Sequence, residues 1–216
     1  MEIWYTLTGD IEKKGVQDAI AWLNGELYSK PVERLRLLLA SGGGDVASGI
    51  NLYMYLKALP IEVETIGFGE IDFAAIPIFL GGKRRIAVRE CQFIFHEGRY
   101  EVEGRTVPLS TFEETVTEFR RELRQTMLLI AKETGNDMEL VSAMLRRGKT
   151  MQADEAKEFG LCHAIIETLP LQQQEKGIGF QQRAEKSPWN MPKRGVQIRG
   201  GKRKDTKGDS EGPETV

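Results

Sequence analysis

Strand-like and helix-like segments alternate along the first half of this 216-residue chain. Residues 3–7, 34–40 and 61–68 are rich in branched and aromatic side chains, which predicts strands. Between them, apolar residues recur every three or four positions over 16–27 and 46–56, which predicts amphipathic helices. Because consecutive parallel strands need a crossover helix, this order predicts an α/β fold with a mostly parallel sheet.

Shorter elements extend the same pattern toward the C-terminus. An apolar stretch at 74–80 predicts a buried helix, and Gly160 ends a short predicted helix. The remaining predicted elements are strands at 85–88, 92–95 and 161–166 and helices at 138–145 and 153–159.

A long helix interrupts the alternation. From Phe112 to Ile130, apolar side chains are spaced by threes and fours over about five turns, and the opposite face is heavily charged. The pattern leaves two interpretations open. The helix packs on its own sheet, or it packs against another subunit.

The composition changes near residue 170. Beyond it Gln, Lys, Arg, Gly, Pro and Ser dominate, so the segment cannot bury enough apolar surface to order itself. We therefore predict a folded domain over residues 1–170 and a disordered polar tail over 171–216. The basic cluster at 202–204 is predicted to be solvated, with a weak contact to an acidic partner as the alternative.

Charge and cysteine content argue against several classes of protein. A formal net charge of -2 gives no overall attraction to nucleic acid or to an anionic membrane. No apolar run approaches the about 20 residues that cross a bilayer, and the N-terminus lacks the pattern of a signal peptide. Cys91 and Cys162 are too few for a disulfide framework and predict buried thiols, so we expect a cytoplasmic protein.

Three segments lie where predicted strands end, which is where sites form in α/β sheets. They are Ser41–Gly44, Gly69–Phe73 and His96. The glycine loop precedes a predicted helix, and glycine allows backbone N–H groups to approach a ligand closely or to stabilise an oxyanion. The sequence therefore predicts a pocket at this sheet edge, although a glycine loop alone is a weak signal.

Several motifs resemble one known family. Residues 41–49 read SGGGDVASG, residues 93–96 read FIFH and residues 151–161 read MQADEAKEFGL, with Gly69 at the expected distance downstream of the first motif. Together they resemble the caseinolytic-protease proteolytic subunit (ClpP) family, whose glycine segment is Ser-Pro-Gly-Gly-x-Val-x-x-Gly. The resemblance covers about residues 3–167 and implies the ClpP/crotonase-like fold, a spiral of repeated ββα units with a protruding long helix.

The resemblance also assigns site positions, and the chain departs from the family at two of them. Ungapped counting places Phe73 at the nucleophile serine and Gly148 at the acid, so only His96 of the catalytic triad is retained. A phenyl ring cannot attack a carbonyl, and glycine cannot orient a histidine. The amides of Gly43, Gly44 and Ala74 correspond to an oxyanion hole.

These departures lead us to expect a pseudo-peptidase, a degenerate member of the family. It would act as an oligomeric scaffold or partner subunit of a Clp-type protease complex, in a homo-oligomeric ring or with a catalytic paralogue. Because the sequence starts at the first predicted strand, we expect no counterpart of the family's pore-lining segment, and Arg36 stands where the family often has an aromatic residue that helps to dock the AAA+ unfoldase. Both features argue against coupling to an unfoldase.

Alternative functions remain open at this point. The chain could be an active serine endopeptidase with an unrecognised nucleophile, although no serine lies between Ser48 and Ser110. It could instead be a crotonase-like acyl-CoA enzyme that uses the glycine-loop amides with Asp72 or Glu70 as base. With two histidines and no clustered Cys/His spacing, we expect no metal site and no cofactor.

Overall fold

The predicted alternation is present in the computed structural model, which describes residues 1–97 and 108–170. The strands are β1 (Glu2–Thr8), β2 (Arg34–Ser41), β3 (Glu62–Asp72), β4 (Arg84–Val88), β5 (Gln92–Ile94), β6 (Thr150–Gln152) and β7 (Ala164–Ile166). The helices are α1 (Lys13–Ser29), α2 (Val46–Ala58), α3 (Ile76–Leu80), α4 (Leu109–Thr134), α5 (Met138–Arg147) and α6 (Ala153–Phe159). The predicted tail, 171–216, lies outside the described residues.

The strands form one mostly parallel sheet in the order β1-β2-β3-β4-β7. β5 pairs with the last residues of β3, and β6 pairs with β5 in the antiparallel direction. Alternate side chains of β2 (Leu35, Leu37 and Leu39) are buried in the same core cluster as the apolar faces of α1 and α2. This sheet covered by helices is the α/β arrangement that the sequence predicts.

β3 is longer than predicted, and it corrects the expected loop at Gly69–Phe73. The backbone stays extended to Asp72, and the pairing with β2 changes register between Leu39 and Ser41. Gly69 makes this irregularity possible because its φ of 74° is a conformation that side chains disfavour. The bulge redirects the end of β3 onto β5, so Asp72 pairs with Ile94.

Arg85, a buried residue of β4, joins the base of α4 to the rest of the domain. Its guanidinium donates to the carbonyls of Leu161 at 2.7 Å, Gly160 at 3.1 Å and Glu133 at 3.2 Å. It also lies 3.3 Å from the Glu133 carboxylate. Because these acceptors come from different elements, one side chain fixes the C-terminal end of α4.

Glu133 receives further support from α2. Tyr53 donates its hydroxyl at 2.8 Å, and Lys57 donates its ammonium at 2.9 Å. Burial alone would raise the pKa of Glu133, but the hydrogen bonds from Lys57 and Tyr53 and the nearby charges lower it below the ordinary value. Burial lowers the pKa of Arg85. We refer to Arg85, Glu133, Tyr53 and Lys57 as the Arg85 cluster.

The two halves of α4 differ in burial. The buried residues of this helix are Thr126 and Ile130, both in its C-terminal half. In its first turns Leu109 is 72% exposed and Phe112 is 46% exposed. The C-terminal half of α4 therefore packs on its own domain, while its N-terminal half presents apolar side chains to the surface.

Candidate active site

The glycine loop after β2 is held by the segment that precedes α1. Ile11 donates its N–H to the Gly43 carbonyl at 2.7 Å and accepts from the Asp45 N–H at 2.7 Å. Gly43 and Gly44 have φ values of 93° and 132°, which favour glycine. A Cβ on Gly44 would lie 2.4 Å from the Ile11 carbonyl oxygen. The backbone conformation of the loop therefore requires glycine at both positions.

The amide of Gly43 already has a partner within the loop. Its N–H donates to the Ser41 Oγ at 3.2 Å. Asp45 caps α2 by accepting from the Ser48 N–H at 2.7 Å. Of the three amides that the resemblance assigns to an oxyanion hole, that of Gly43 is thus engaged by a side chain of its own loop.

Asp72, at the end of β3, faces this loop. A Cβ built on Gly43 would lie 3.5 Å from the Asp72 Cβ, so the two residues are in direct contact distance. The carboxylate accepts the N–H of Phe73 at 2.7 Å through Oδ1. Glu70, the other predicted base, has an exposed side chain. The structure therefore brings Asp72 to the candidate site.

His96 follows β5 and contacts Asp72. Its Nε2 lies 2.8 Å from both carboxylate oxygens of Asp72. Its Nδ1 lies 2.8 Å from the Glu97 carbonyl oxygen. The pairing of Asp72 with Ile94 across β3 and β5 sets this contact, because both residues stand at the carboxyl ends of adjacent parallel strands.

These contacts determine what the imidazole can do. A carbonyl oxygen only accepts, so the Nδ1 of His96 carries a hydrogen. Nε2 either donates to the Asp72 carboxylate or accepts from the protonated acid. In the first case Nε2 already carries a hydrogen, and in the second its lone pair accepts from Asp72, so His96 in this geometry has no nitrogen with which to take a proton from a nucleophile.

Phe73, at the position matching the family's nucleophile, belongs to the core. It is 2% exposed, and its ring centroid lies 6.5 Å from that of His96. The next residue, Ala74, is pressed against α2, since a Cβ on Gly49 would lie 2.2 Å from the Ala74 carbonyl oxygen. The nucleophile position is therefore filled by a buried phenyl ring on a tightly packed backbone.

Gly148, at the position matching the family's acid, ends α5 in the left-handed conformation with a φ of 67°. The neighbouring Lys149 carbonyl accepts the N–H of Phe95 at 2.8 Å, which places this segment beside the chain that leads to His96. Gly148 therefore lies in the segment beside His96 but has no side chain that could contact the imidazole.

The other reactive residues are engaged elsewhere. Cys91 and Cys162 are buried and unpaired, and burial raises the pKa of their thiols to about 12 and about 11. His163 accepts the N–H of Arg85 on Nδ1 at 3.1 Å. Within residues 1–97 and 108–170, no group of three or more His, Cys, Asp or Glu side chains could hold a metal ion. None of the described helices is long and apolar enough to cross a membrane.

Arg36, which replaces the expected aromatic residue, lies on the sheet face with acidic neighbours. Its Nε is 3.0 Å from the Glu64 carboxylate and 3.4 Å from that of Glu2, at ion-pair distance but without hydrogen-bond alignment. Its guanidinium lies 4.9 Å from the ring centroid of Trp4. Arg36 is thus held by contacts within its own domain.

Comparison with known proteins identifies the family. The model of the Clp protease family matches residues 3–169. The chain belongs to the Clp protease family. It is 29% identical to the ATP-dependent Clp protease proteolytic subunit of Ostreococcus tauri, over 71% of this chain and 79% of that protein. It is also 29% identical to proteolytic subunit 2 of Treponema pallidum, over 74% of this chain and 80% of that protein.

A solved structure supports the fold of this Clp protease family member. A mutant ClpP1 from Listeria monocytogenes superposes with a TM-score of 0.66 and 23% identity, over 77% of this chain and 92% of that chain. The family membership and the ClpP/crotonase-like fold inferred from the motifs are confirmed. The sequence motifs therefore predicted the fold correctly. A carboxylate beside His96 was considered only as a minor alternative.

Proposed function

We propose that this member of the Clp protease family is a non-catalytic subunit that acts as an assembly partner. The observation that carries the proposal is the commitment of both nitrogens of His96, to Asp72 and to the Glu97 carbonyl. A serine-type peptidase needs a hydroxyl nucleophile and a histidine that is free to accept its proton. Neither is provided at the matching positions.

The nucleophile and the acid positions support the same proposal. Phe73 is buried, and removing the nucleophilic serine of a well-studied serine protease costs about 10⁶ in turnover. Gly148 cannot orient an imidazole. Ser41, the serine of the glycine loop, is hydrogen-bonded to the Gly43 amide.

The uncovered half of α4 supports a role in assembly. Leu109 and Phe112 are exposed on a helix whose base is fixed by the Arg85 cluster. Exposed apolar side chains on a rigid helix favour contact with another protein surface. We propose a ring of copies of this chain, or a mixed ring with a catalytic paralogue, in a reducing compartment such as the cytoplasm.

Fluorophosphonate labelling tests the absence of catalysis. The purified protein is expected to bind no probe and to cleave neither an unstructured protein nor short fluorogenic peptides. The matched control is His96→Ala, which should behave as wild type. A stoichiometric label on a serine that disappears in His96→Ala would overturn the proposal and establish a working peptidase.

A second candidate function rests on the carboxylate beside the glycine loop. Asp72 contacts His96 and faces Gly43, which is where a base would stand in a crotonase-like acyl-CoA enzyme. If this function holds, acyl-CoA should raise the melting temperature of the wild type, and Asp72→Asn should alter that shift. An unchanged melting temperature at saturating ligand would eliminate this candidate.

A further inference from the structure

Two buried thiols are not used by the candidate site. Cys91 precedes β5 and is 0% exposed, and Cys162 lies between α6 and β7 and is 2% exposed. They are the two cysteines of the chain, both are free, and both belong to the same core cluster. Oxidation can join two thiols that the fold brings close together, so their relative placement decides what they can do.

The pairing of β5 with β6 brings both cysteines to one residue, Ala153. The antiparallel pair ends at Gln92 and Gln152, so the residues just outside it, Cys91 and Ala153, are neighbours across the pair. Residues opposite each other in such a pair have Cα atoms about 4.5–5.5 Å apart. The Sγ of Cys162 lies 3.8 Å from the Ala153 carbonyl oxygen. Ala153 therefore stands beside both cysteines.

The two thiols also lie on the same face of the sheet. A Cβ on Gly67 of β3 would lie 3.1 Å from the Sγ of Cys91. Gly67 pairs with the residue two positions after Arg85 in β4, so the Arg85 side chain points to the face on which that Sγ lies. Arg85 donates to the carbonyl of Leu161, the residue before Cys162, at 2.7 Å. The segment that carries Cys162 therefore covers the same face as the Cys91 thiol.

Burial keeps both thiols protonated. It raises the pKa of Cys91 to about 12, with a further contribution from the charge of a Cys162 thiolate, and raises the pKa of Cys162 to about 11. At neutral pH only about one molecule in 10⁴ carries the Cys162 thiolate. Because the thiolate is the form that attacks an oxidant, the pair stays reduced under ordinary conditions and reacts only on prolonged oxidation.

We propose that Cys91 and Cys162 form a buried dithiol that hydrogen peroxide converts into a disulfide within one chain. The Cys162 thiolate attacks one peroxide oxygen, the O–O bond breaks, and a sulfenic acid and hydroxide form. The Cys91 thiolate then attacks that sulfur, and the S–O bond breaks to release a second hydroxide. Each hydroxide takes up the proton of one thiol and becomes water. The two sulfurs lose two electrons, and the peroxide gains them.

The bond would tie together two segments that border the core. Cys91 begins the segment that leads through β5 to His96, and Cys162 follows the turn whose carbonyls Arg85 binds. A link between positions so far apart in sequence removes many conformations from the unfolded chain, so it should stabilise the folded domain. The proposal is independent of the proposed role in assembly.

Peptide mapping after peroxide treatment tests the bond. The folded protein is incubated with hydrogen peroxide and digested with trypsin without reductant. Trypsin cleaves after lysine and arginine, so the disulfide should join residues 90–99 to residues 158–176. A thiol reagent added in denaturant should find no free thiol, against two before treatment. The urea midpoint of the treated protein should be higher than that of the same sample after addition of a thiol reductant.

Single substitutions provide the matched controls. Cys91→Ala and Cys162→Ala each keep one thiol, so neither should yield the joined peptides, and reductant should leave the urea midpoint of each treated variant unchanged. Urea denaturation of the untreated variants checks that they fold.

Three outcomes would overturn the proposal. The thiols are unreactive as a pair if both are still reduced when Met54, which is 58% exposed, has been converted to the sulfoxide. They are not neighbours if each sulfur gains oxygen separately or if the disulfide joins two chains. A disulfide that lowers the urea midpoint would show that the folded domain holds the two thiols too far apart to be bonded without strain.

Discussion

Two pairs, each of a basic and an acidic side chain, differ in their surroundings. In the Arg85 cluster the side chains of Arg85 and Glu133 are 7% and 11% exposed, whereas those of His96 and Asp72 are 41% and 15% exposed. Arg85 also binds carbonyls of several segments of the domain. Asp72 accepts the N–H of Phe73, and His96 lies 2.8 Å from the carbonyl of Glu97, so these contacts are made to neighbours in sequence. From the comparison we expect the first pair to contribute more to the stability of the fold than the second.

Arg85→Met should give the largest loss. It leaves the Glu133 carboxylate without one of its cationic partners and the carbonyls of Gly160 and Leu161 without their donor, which should lower the free energy of unfolding by about 3–5 kcal/mol. Urea denaturation measures this value. Arg89→Met is the matched control, because Arg89 makes several exposed ion pairs, which solvent screens and which should therefore contribute little to stability. Equal losses in the two variants would remove the distinction between buried and exposed pairs.

Gly49→Ala should give the next largest loss of stability. It tests whether the packing of α2 against the backbone after Phe73, rather than the contact between Asp72 and His96, holds the candidate site in place. The added Cβ would lie 2.2 Å from the Ala74 carbonyl oxygen, so α2 and the backbone after Phe73 must separate. We expect a loss of about 1–3 kcal/mol.

Gly25→Ala is the control for that substitution. Gly25 lies inside α1 with open space around it, so alanine should stabilise the helix by up to about 1 kcal/mol. Urea denaturation of both variants measures whether each substitution lowers or raises the free energy of unfolding. A Gly49→Ala variant as stable as wild type would mean that α2 does not press on Ala74.

Asp72→Asn should change stability by about 1 kcal/mol or less, although it replaces the carboxyl group that faces His96. Asparagine keeps the oxygen that accepts the Phe73 N–H, and the pair is partly exposed to solvent. The same denaturation experiment applies, with His96→Gln as the reciprocal change. A loss as large as that of Arg85→Met would show that the second pair is also a structural one.

Much of the fold follows from local patterns. β2 and α4 were predicted because their apolar residues alternate or recur over many positions, which a single sequence reveals. The three-residue β6 was missed, since it is too short to show a period and exists through its pairing with β5. The extension of β3 to Asp72 was missed as well, because a glycine usually signals a turn and here allows a bulge.

The candidate site was less predictable for a different reason. The glycine loop and His96 were identified from motifs, but the partner of His96 depends on the register between β3 and β5. A shift of one residue would turn Asp72 away from this edge. The Arg85 cluster was not predicted at all, since its members are separated by up to 80 residues.

The smallest effect concerns pH and tests the Arg85 cluster through His163. Burial first, and then the charges of Arg85, Arg84 and Lys57, lower the pKa of His163 below 6.5. The unfolded chain therefore binds more protons than the folded one between the lowered pKa and 6.5. The contribution of His163 is complete above that window and is lost as the pH falls through it.

His163→Gln, which keeps an acceptor for the Arg85 N–H, should remove this component. Urea midpoints of wild type and variant should differ in their pH dependence below about pH 6.5 and run parallel above it. The carboxylates titrate in both proteins, so the difference between the two curves reports His163 alone. Parallel curves at every pH would mean that neither burial nor the charges of Arg85, Arg84 and Lys57 lower the pKa of His163 in the folded protein.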